Sequence, residues 1–430
     1  MASALLESLL GADAPVPPSA SPALARVRAD AAAKLRRDGL PGPRDERWKY
    51  TGLRALEQRA YVDGDCGAGH RAVDPSAYLL PGVDGPRLVF VNGVHRADLS
   101  DLRASPGLEI VRLGAEPQLF ADALADASTA DAFSLLNTAL ATDGMLLRVA
   151  AGAQLAEPLH LVCVGAAAEA DIAWQLRLRV EIGNGGALRM IEHHLATDAH
   201  AHLGNVVADY RLGDDARLDL VQLQDAAEGA ALVRRSRARL GHAARLRMHT
   251  VELGAQFMRH ELDVALAGRG ARFESHGVFA LHGRQHADTR MQVVHDARDT
   301  ECDIVWRGVA DQRSRGVFHG AITVAAGADG ADARLSNKNL LLSAQAEIDT
   351  QPVLEIHADE VKAAHGATVG QLDERALFYL RSRGLPLDLA RRMLVSAFCG
   401  AVMAELEPVE LRARIDALIA ARLPQAEAAS

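Results

Sequence analysis

Aromatic side chains make up only 4% of this 430-residue sequence. Ala, Leu, Val and Gly fill the gap, which suits small, regular, closely stacked layers better than aromatic-centred cores. Lysine is scarcer still: Lys34, Lys49, Lys338 and Lys362 are the only ones. A net charge of −9 without a basic tract lacks the electrostatic footprint of a general nucleic-acid binder. The four cysteines, Cys66, Cys163, Cys302 and Cys399, lie far apart and form no CxxC pair. That argues against a zinc knuckle, an autonomous four-cysteine iron–sulfur site and a secreted disulfide framework. No apolar run reaches the ~18 residues of a membrane span. Met1 to Leu10 carries Glu7 and no basic residue, so it reads as a poor signal peptide. The expectation is a soluble, cytoplasmic chain without nucleic-acid or membrane partners.

Catalytic motifs are missing as well. The sequence has no Gly-Lys pair, hence no phosphate-cradling GxxxxGK[ST] loop, and no GxGxxG stands between a strand and a helix. No GxSxG elbow and no HExxH is present. Apolar residues at 49% and charged residues at 24% nevertheless mark a folded chain. At roughly 100–200 residues per domain, its length allows two or three domains or one long repetitive one.

A repeat favours the second. Gly213-Asp-Asp-Ala216-Arg217-Leu218 recurs as Gly241-His-Ala-Ala244-Arg245-Leu246, Gly268-Arg-Gly-Ala271-Arg272-Phe273 and Gly330-Ala-Asp-Ala333-Arg334-Leu335. A looser copy is Gly183-Asn-Gly-Gly-Ala187-Leu188, and a degenerate unit falls near Asp296 to Cys302. A period near 30 residues is the mark of stacked repeats. Between the turns, Trp174-Gln-Leu-Arg-Leu-Arg-Val-Glu-Ile182 alternates at strand spacing, as do Arg217 to Leu223 and Leu246 to Leu253. Each period therefore holds two strands and no helix. A long antiparallel meander would expose a broad sheet face. A coil buries its inward face internally and suits Ala and Gly at its corners, so a β-helix is the preferred reading.

Helical patterns flank the repeats. Leu5, Leu6, Leu9 and Leu10 share one helical face, Pro15 to Pro22 reads as a linker, and Leu24 to Arg37 as a second helix ending at Gly39. From about Gln371, Asp373 caps a helix over Glu374 to Ser382, and Gly384-Leu-Pro386 closes it and opens the next. Leu389, Met393, Ala397 and Ala401 then recur every four residues, with Phe398 and Val402 widening the stripe. A final helix aligns Leu411, Ile415, Leu418 and Ile419. This zone is a helical cap or a docking module.

The histidines divide by position. Glu192-His193-His194, with His200 and His202, is the densest group, but adjacent strand residues point to opposite faces. Surface or coil-stacking roles are preferred there to a metal site, and for His276, His282 and His286 too. Cys163, Cys302 and Cys399 read as small core hydrophobes. His365 differs because it sits where the repeats stop. The end of a β-helix leaves unpaired strand edges that invite another chain, and imidazole is both a metal ligand and a proton carrier near neutral pH.

Several segments together resemble the SufB/SufD family of iron–sulfur cluster assembly proteins. They are Trp48-Lys-Tyr-Thr51, Asn339-Leu-Leu-Leu-Ser343, Pro352-Val-Leu-Glu-Ile356, Asp359-Glu-Val-Lys362, His365-Gly-Ala-Thr-Val-Gly370 and Leu377-Phe-Tyr-Leu-Arg-Ser-Arg-Gly384. The His-Gly-Ala-Thr wording is closer to the SufD side, since SufB usually reads His-Glu-Ala-Thr. The resemblance implies a mainly β fold: a right-handed parallel β-helix core (87–370) flanked by an N-terminal helical region (1–86) and a C-terminal helical module (371–430). It further implies a non-catalytic scaffold that pairs with a SufB-like paralogue through the β-helix and docks a SufC-like ABC ATPase through the C-terminal module. His365 would then be the interface residue and candidate metal ligand, shared with a partner cysteine. The chain alone would hold no stable cofactor, the iron–sulfur cluster being transient in the complex, and self-pairing without the paralogue stays open. Where the family often has cysteine two residues before this histidine, the chain has Ala363. Glu374, Arg375, Tyr379 and Arg381 are the ATPase-docking candidates. The alternative is a β-helix carbohydrate-active enzyme, a lyase or esterase, using Asp209, Asp214, Asp215 and Asp219.

Overall fold

A computed structural model describes residues 3–11, 21–42, 44–63, 73–125 and 131–422; Cys66, most of the Pro15–Pro22 linker and Leu423 lie outside them. The chain is mainly β, with 42% strand and 23% helix, and builds a β-solenoid of about 8 turns with helices at both ends.

Helices α1 (Ala4–Leu10), α2 (Pro22–Asp38) and α3 (Arg54–Glu57) come first, followed by short strands β1 (Val62–Asp63), β2 (Arg87–Val91), β3 (Val94–His95) and β4 (Leu108–Arg112). Ser21 caps α2, accepting from the Leu24 amide at 3.2 Å, and Gly39 ends it at φ +74°. Helices α4 (Pro117–Ala125) and α5 (Ala132–Leu140) precede the first full coil. The β-helix core expected over 87–370 made no provision for them, although Asp131 caps α5 and Phe133, Leu136 and Leu140 follow at helical spacing.

The coils are strand pairs: β5 (Asp143–Val149) and β6 (Leu159–Gly165), β7 (Ile172–Ile182) and β8 (Ala187–Ala196), β9 (Leu203–Leu212) and β10 (Arg217–Asp225), then β11 (Ala231–Leu240) and β12 (Arg245–Glu252). They continue as β13 (Phe257–Leu266) and β14 (Arg272–Leu281), β15 (His286–His295) and β16 (Glu301–Ala310), β17 (Arg315–Val324) and β18 (Asp332–Leu341), ending with β19 (Glu347–Ile356) and β20 (Lys362–Gly370). Odd-numbered strands stack into one parallel sheet and even-numbered strands into the other, without a slip of register. Inward positions therefore form columns, such as Leu188, Leu218, Leu246, Phe273, Cys302 and Ala333, all buried.

The repeated motif is one corner of the coil. Its third residue takes a left-handed conformation, with φ of +68° at Gly185, +57° at Asp215, +51° at Ala243 and +73° at Gly270; the Gly330 copy is offset by two residues, since Asp332 and not Arg334 continues the column of Arg272 and Glu301, and there the first residue, Gly330 at φ +79°, holds this place. Its amide reaches the next corner's carbonyl, as Asp215 does to His242 at 2.7 Å and Ala243 to Arg269 at 2.9 Å. The degenerate unit makes the same corner, because Asp299 sits at φ +57° and its amide bonds Asp329 at 3.0 Å. Asp tolerates this region better than most residues.

Helices cover the outer faces. The N-terminal helices and α5 pack Leu9, Leu35, Trp48 and Phe133 against Ala173, Leu203 and Val233 of the odd sheet. On the even sheet, α7 (Leu387–Gly400) and α8 (Val409–Arg422) lay Val395, Cys399, Ile415 and Ile419 over Val221, Val251 and Val278, while α6 (Glu374–Ser382) precedes them. No helix among the described residues is long and apolar enough to cross a membrane.

Candidate functional site

The last coil, β19 and β20, ends both ladders. In-register stacking places His365 above Leu335 in the column Leu159, Met190, Leu220, Met248, Ser275, Ile304 and Leu335. Every residue below it in that column is buried, whereas His365 is exposed. The imidazole thus stands at the open mouth of the solenoid. Its inward-facing neighbours on β20 are small: Ala363 over Ala333, Ala367 over Asn337, and Val369 over Asn339. Ile348, Thr350, Pro352 and Leu354 line the opposite side from β19, each in register with an inward position of β17.

One rung down, the floor is polar, which the sequence reading did not foresee. Thr350 donates to Asn337 Oδ1 at 2.7 Å, and Asn339 Nδ2 donates to the same oxygen at 2.6 Å and to the Thr368 carbonyl at 3.1 Å. Asn337 Nδ2 and Asn339 Oδ1 are buried without a hydrogen-bond partner. The mouth is thus formed by small residues around an exposed imidazole, above amides with unused hydrogen-bonding capacity.

The second region is the C-terminal module. Asp373 caps α6 by accepting from the Arg375 amide at 2.9 Å. Glu374, Arg375, Tyr379 and Arg381 are all exposed, and beside them stands Phe378, 74% exposed and absent from the candidates read from sequence. The apolar stripe of α7 also faces outward. Leu389 and Met393 are 37% and 46% exposed, and Ala397 and Ala401 are exposed too. The packed face is instead Ala390, Val395 and Cys399, continued by Val402 and Met403. Four-residue spacing identifies a stripe but not what covers it.

The other candidates disperse. His193 faces outward and stacks on His160 at 5.7 Å. His194 faces inward, stacks on Trp174 and donates from Nε2 to Glu192 Oε1 at 2.6 Å. His200 and His202 stack on each other at 4.2 Å, at the following corner. Among the described residues no group of three or more His, Cys, Asp or Glu is arranged to hold a metal. Cys163, Cys302 and Cys399 are buried, and burial lifts the thiols of Cys302 and Cys399 to about 12. Asp209 lies on the odd sheet bound to Arg237, Asp219 on the even sheet, and Asp214 and Asp215 at the corner between them. These carboxylates converge on no common site.

The Trp48-Lys-Tyr-Thr51 segment is a clasp on the odd sheet. Trp48 stacks on Phe133 at 5.6 Å and takes the Arg259 guanidinium over its ring at 3.8 Å. Thr51 donates to Asp288 and accepts from His286 Nε2 at 3.1 Å, while Arg259 donates to the Arg47 carbonyl at 2.7 Å. Inside the solenoid, unseen in the sequence, Glu192 meets Arg234, which donates to the Tyr210 hydroxyl at 2.7 Å.

Comparison with known proteins identifies the family. A family model described as SUF system FeS cluster assembly, SufBD core domain, matches residues 164–398, from β6 into α7. The chain is 30% identical to the iron–sulfur cluster assembly protein SufD of Escherichia coli over 393 residues, covering 91% of each. It is also 30% identical to an iron–sulfur cluster assembly SufBD family protein of Synechocystis, over 89% of this chain and 87% of that one. A SufBD family protein of Mycobacterium tuberculosis is 31% identical over 88% of both. The family model takes in the terminal coil, α6 and most of α7, and the chain belongs to the SufBD family of iron–sulfur cluster assembly proteins.

Proposed function

We propose that the chain is a SufD-type scaffold subunit, without chemistry of its own, in a SufBCD-type assembly complex. The terminal coil pairs edge to edge with a SufB-like paralogue, so that β19 and β20 continue into the partner's strands. His365 then shares a site with a partner thiolate, and the nascent iron–sulfur cluster is cargo held there for a time. One observation carries this reading: a column of buried residues ends in an exposed imidazole at an unpaired edge. Reconstituting a cluster on the assembled complex, with His365 intact and replaced, is the test.

The outward face of α6 and α7 takes a SufC-like ATPase. Because α7 and α8 are packed across the even sheet through Val395, Cys399 and Ile415, movement of the ATPase is passed to the solenoid as a whole instead of being absorbed by a hinge. Phe378→Ala and Met393→Asp are expected to weaken ATPase binding by about 2 kcal/mol each, roughly thirtyfold. Both side chains face solvent, so the thermal midpoint should move little. Calorimetric titration of the ATPase checks this, and wild-type affinity in both variants removes the docking assignment.

A further inference from the structure

Glycine in the middle of a strand costs stability and often marks the close approach of another backbone or a ligand. Seven strand glycines have such a reason within this chain. A Cβ at Gly144, Gly165, Gly204, Gly277, Gly308, Gly316 or Gly320 would come within 3.0 Å of its own chain, as at Gly277, where it would strike the Trp306 ring at 2.2 Å. Gly366 and Gly370 break the pattern: a Cβ at either meets nothing within 4 Å, and neither has a positive φ. Both lie on the outward face of β20, in register with Ser336 and Leu340. Among the described residues nothing requires them.

The surroundings specify the charge of an occupant. Ala364 and the two glycines, with Thr368 between Gly366 and Gly370, leave a low strip along β20, and from β18 Arg334 and Lys338 rise beside it, in register with Ala364 and Thr368, while Asp332 is in register with Lys362. Lys362 stands at its start. All three cations are exposed, and among the described residues Lys338 and Lys362 form no ion pair, while Arg334 reaches Asp332 at 3.4 Å. Two of the four lysines of a chain with net charge −9 therefore flank one strand. From Gly366 to Gly370 the strip is about 13 Å long at strand rise, the span of about four residues of an extended segment.

We propose that the outer face of β20 is a docking strip for an extended, carboxylate-bearing segment of the paired subunit, lying over Gly366 and Gly370 between Lys338, Lys362 and Arg334. This rests on the end-to-end pairing proposed above, and adds a second contact to the ladder itself. The test is a pairing titration of the full chain with its SufB-like paralogue at low and high salt, using Gly366→Val and Lys338→Glu/Lys362→Glu. Valine suits a strand and meets open space, so the Gly366→Val chain should melt at or above the wild-type temperature while its pairing weakens by roughly tenfold or more. The double charge reversal should weaken pairing at low salt and flatten its salt dependence. Wild-type pairing with unchanged affinity in both variants overturns the strip and leaves end-to-end pairing standing. A wild-type chain that does not pair at all overturns both, and loss of ATPase binding instead of paralogue binding overturns the choice of occupant.

Discussion

A complex carrying His365→Ala is expected to purify whole and to fail at holding a cluster. His365 is exposed and has no side-chain hydrogen bond among the described residues. Its removal should therefore cost the folded chain less than about 0.5 kcal/mol, as at an ordinary surface position. The strand edges that would pair with the paralogue are backbone groups, which the substitution leaves in place. Cluster retention is another matter, because a lost ligand should exceed the roughly 10–100-fold that even outer-shell changes cost a metal site. His365→Cys separates ligation from proton transfer: a thiolate is a soft ligand for iron, so partial recovery of cluster points to ligation, and none points to proton transfer. Iron and sulfide content with the visible absorption of the complex are the readouts. Full cluster content in the alanine variant would sink the site.

How much of this was legible in the sequence depends on whether each side chain obeys the alternation of its strand. The coil was readable because its corners repeat Gly and Ala at fixed offsets, and because Trp174 to Ile182 alternates without exception. The corner at Asp299 was legible only as a degenerate unit near Asp296 to Cys302, because that stretch holds no glycine. His365 stood out by place and by family resemblance, but Asn337 and Asn339 beneath it did not: polar residues on a strand read as outward, and these point in. Glu192 and Gln222 likewise occupy inward register positions and are buried. The α7 stripe was recognised while its exposure was not, because periodicity reports a face and only packing reports what covers it.

The inward polar residues support the remaining prediction, that Arg234→Leu destabilises the chain by about 3–5 kcal/mol, the usual cost of stranding one member of a buried ion pair. Glu192 is fully buried inside the solenoid and paired with Arg234, itself 5% exposed. Gln222, with its amide oxygen turned to the guanidinium, accepts from Arg234 Nη2 at 2.7 Å and Nε at 2.6 Å. Burial pushes the Glu192 carboxyl up, but the Arg234 charge and the His194 hydrogen bond outweigh it and hold the group at about 2, against an ordinary 4.5. A depressed carboxyl stabilises the fold above its unfolded value and loses that contribution as pH falls. The wild-type chain should therefore weaken between pH 4.5 and 2. Without Arg234, burial becomes the dominant influence and the carboxyl rises, so the sign reverses: the variant's deficit at neutral pH should shrink on acidification. Glu192→Gln added to Arg234→Leu removes the stranded charge and should restore most of the loss, since apolar or neutral replacement of a whole buried pair is often harmless. Denaturant midpoints of the two variants at pH 7 and pH 5 decide it. Equal destabilisation by the single and the double substitution, at both pH values, would mean that the cost is lost packing around Arg234 and not a charge left alone in the core.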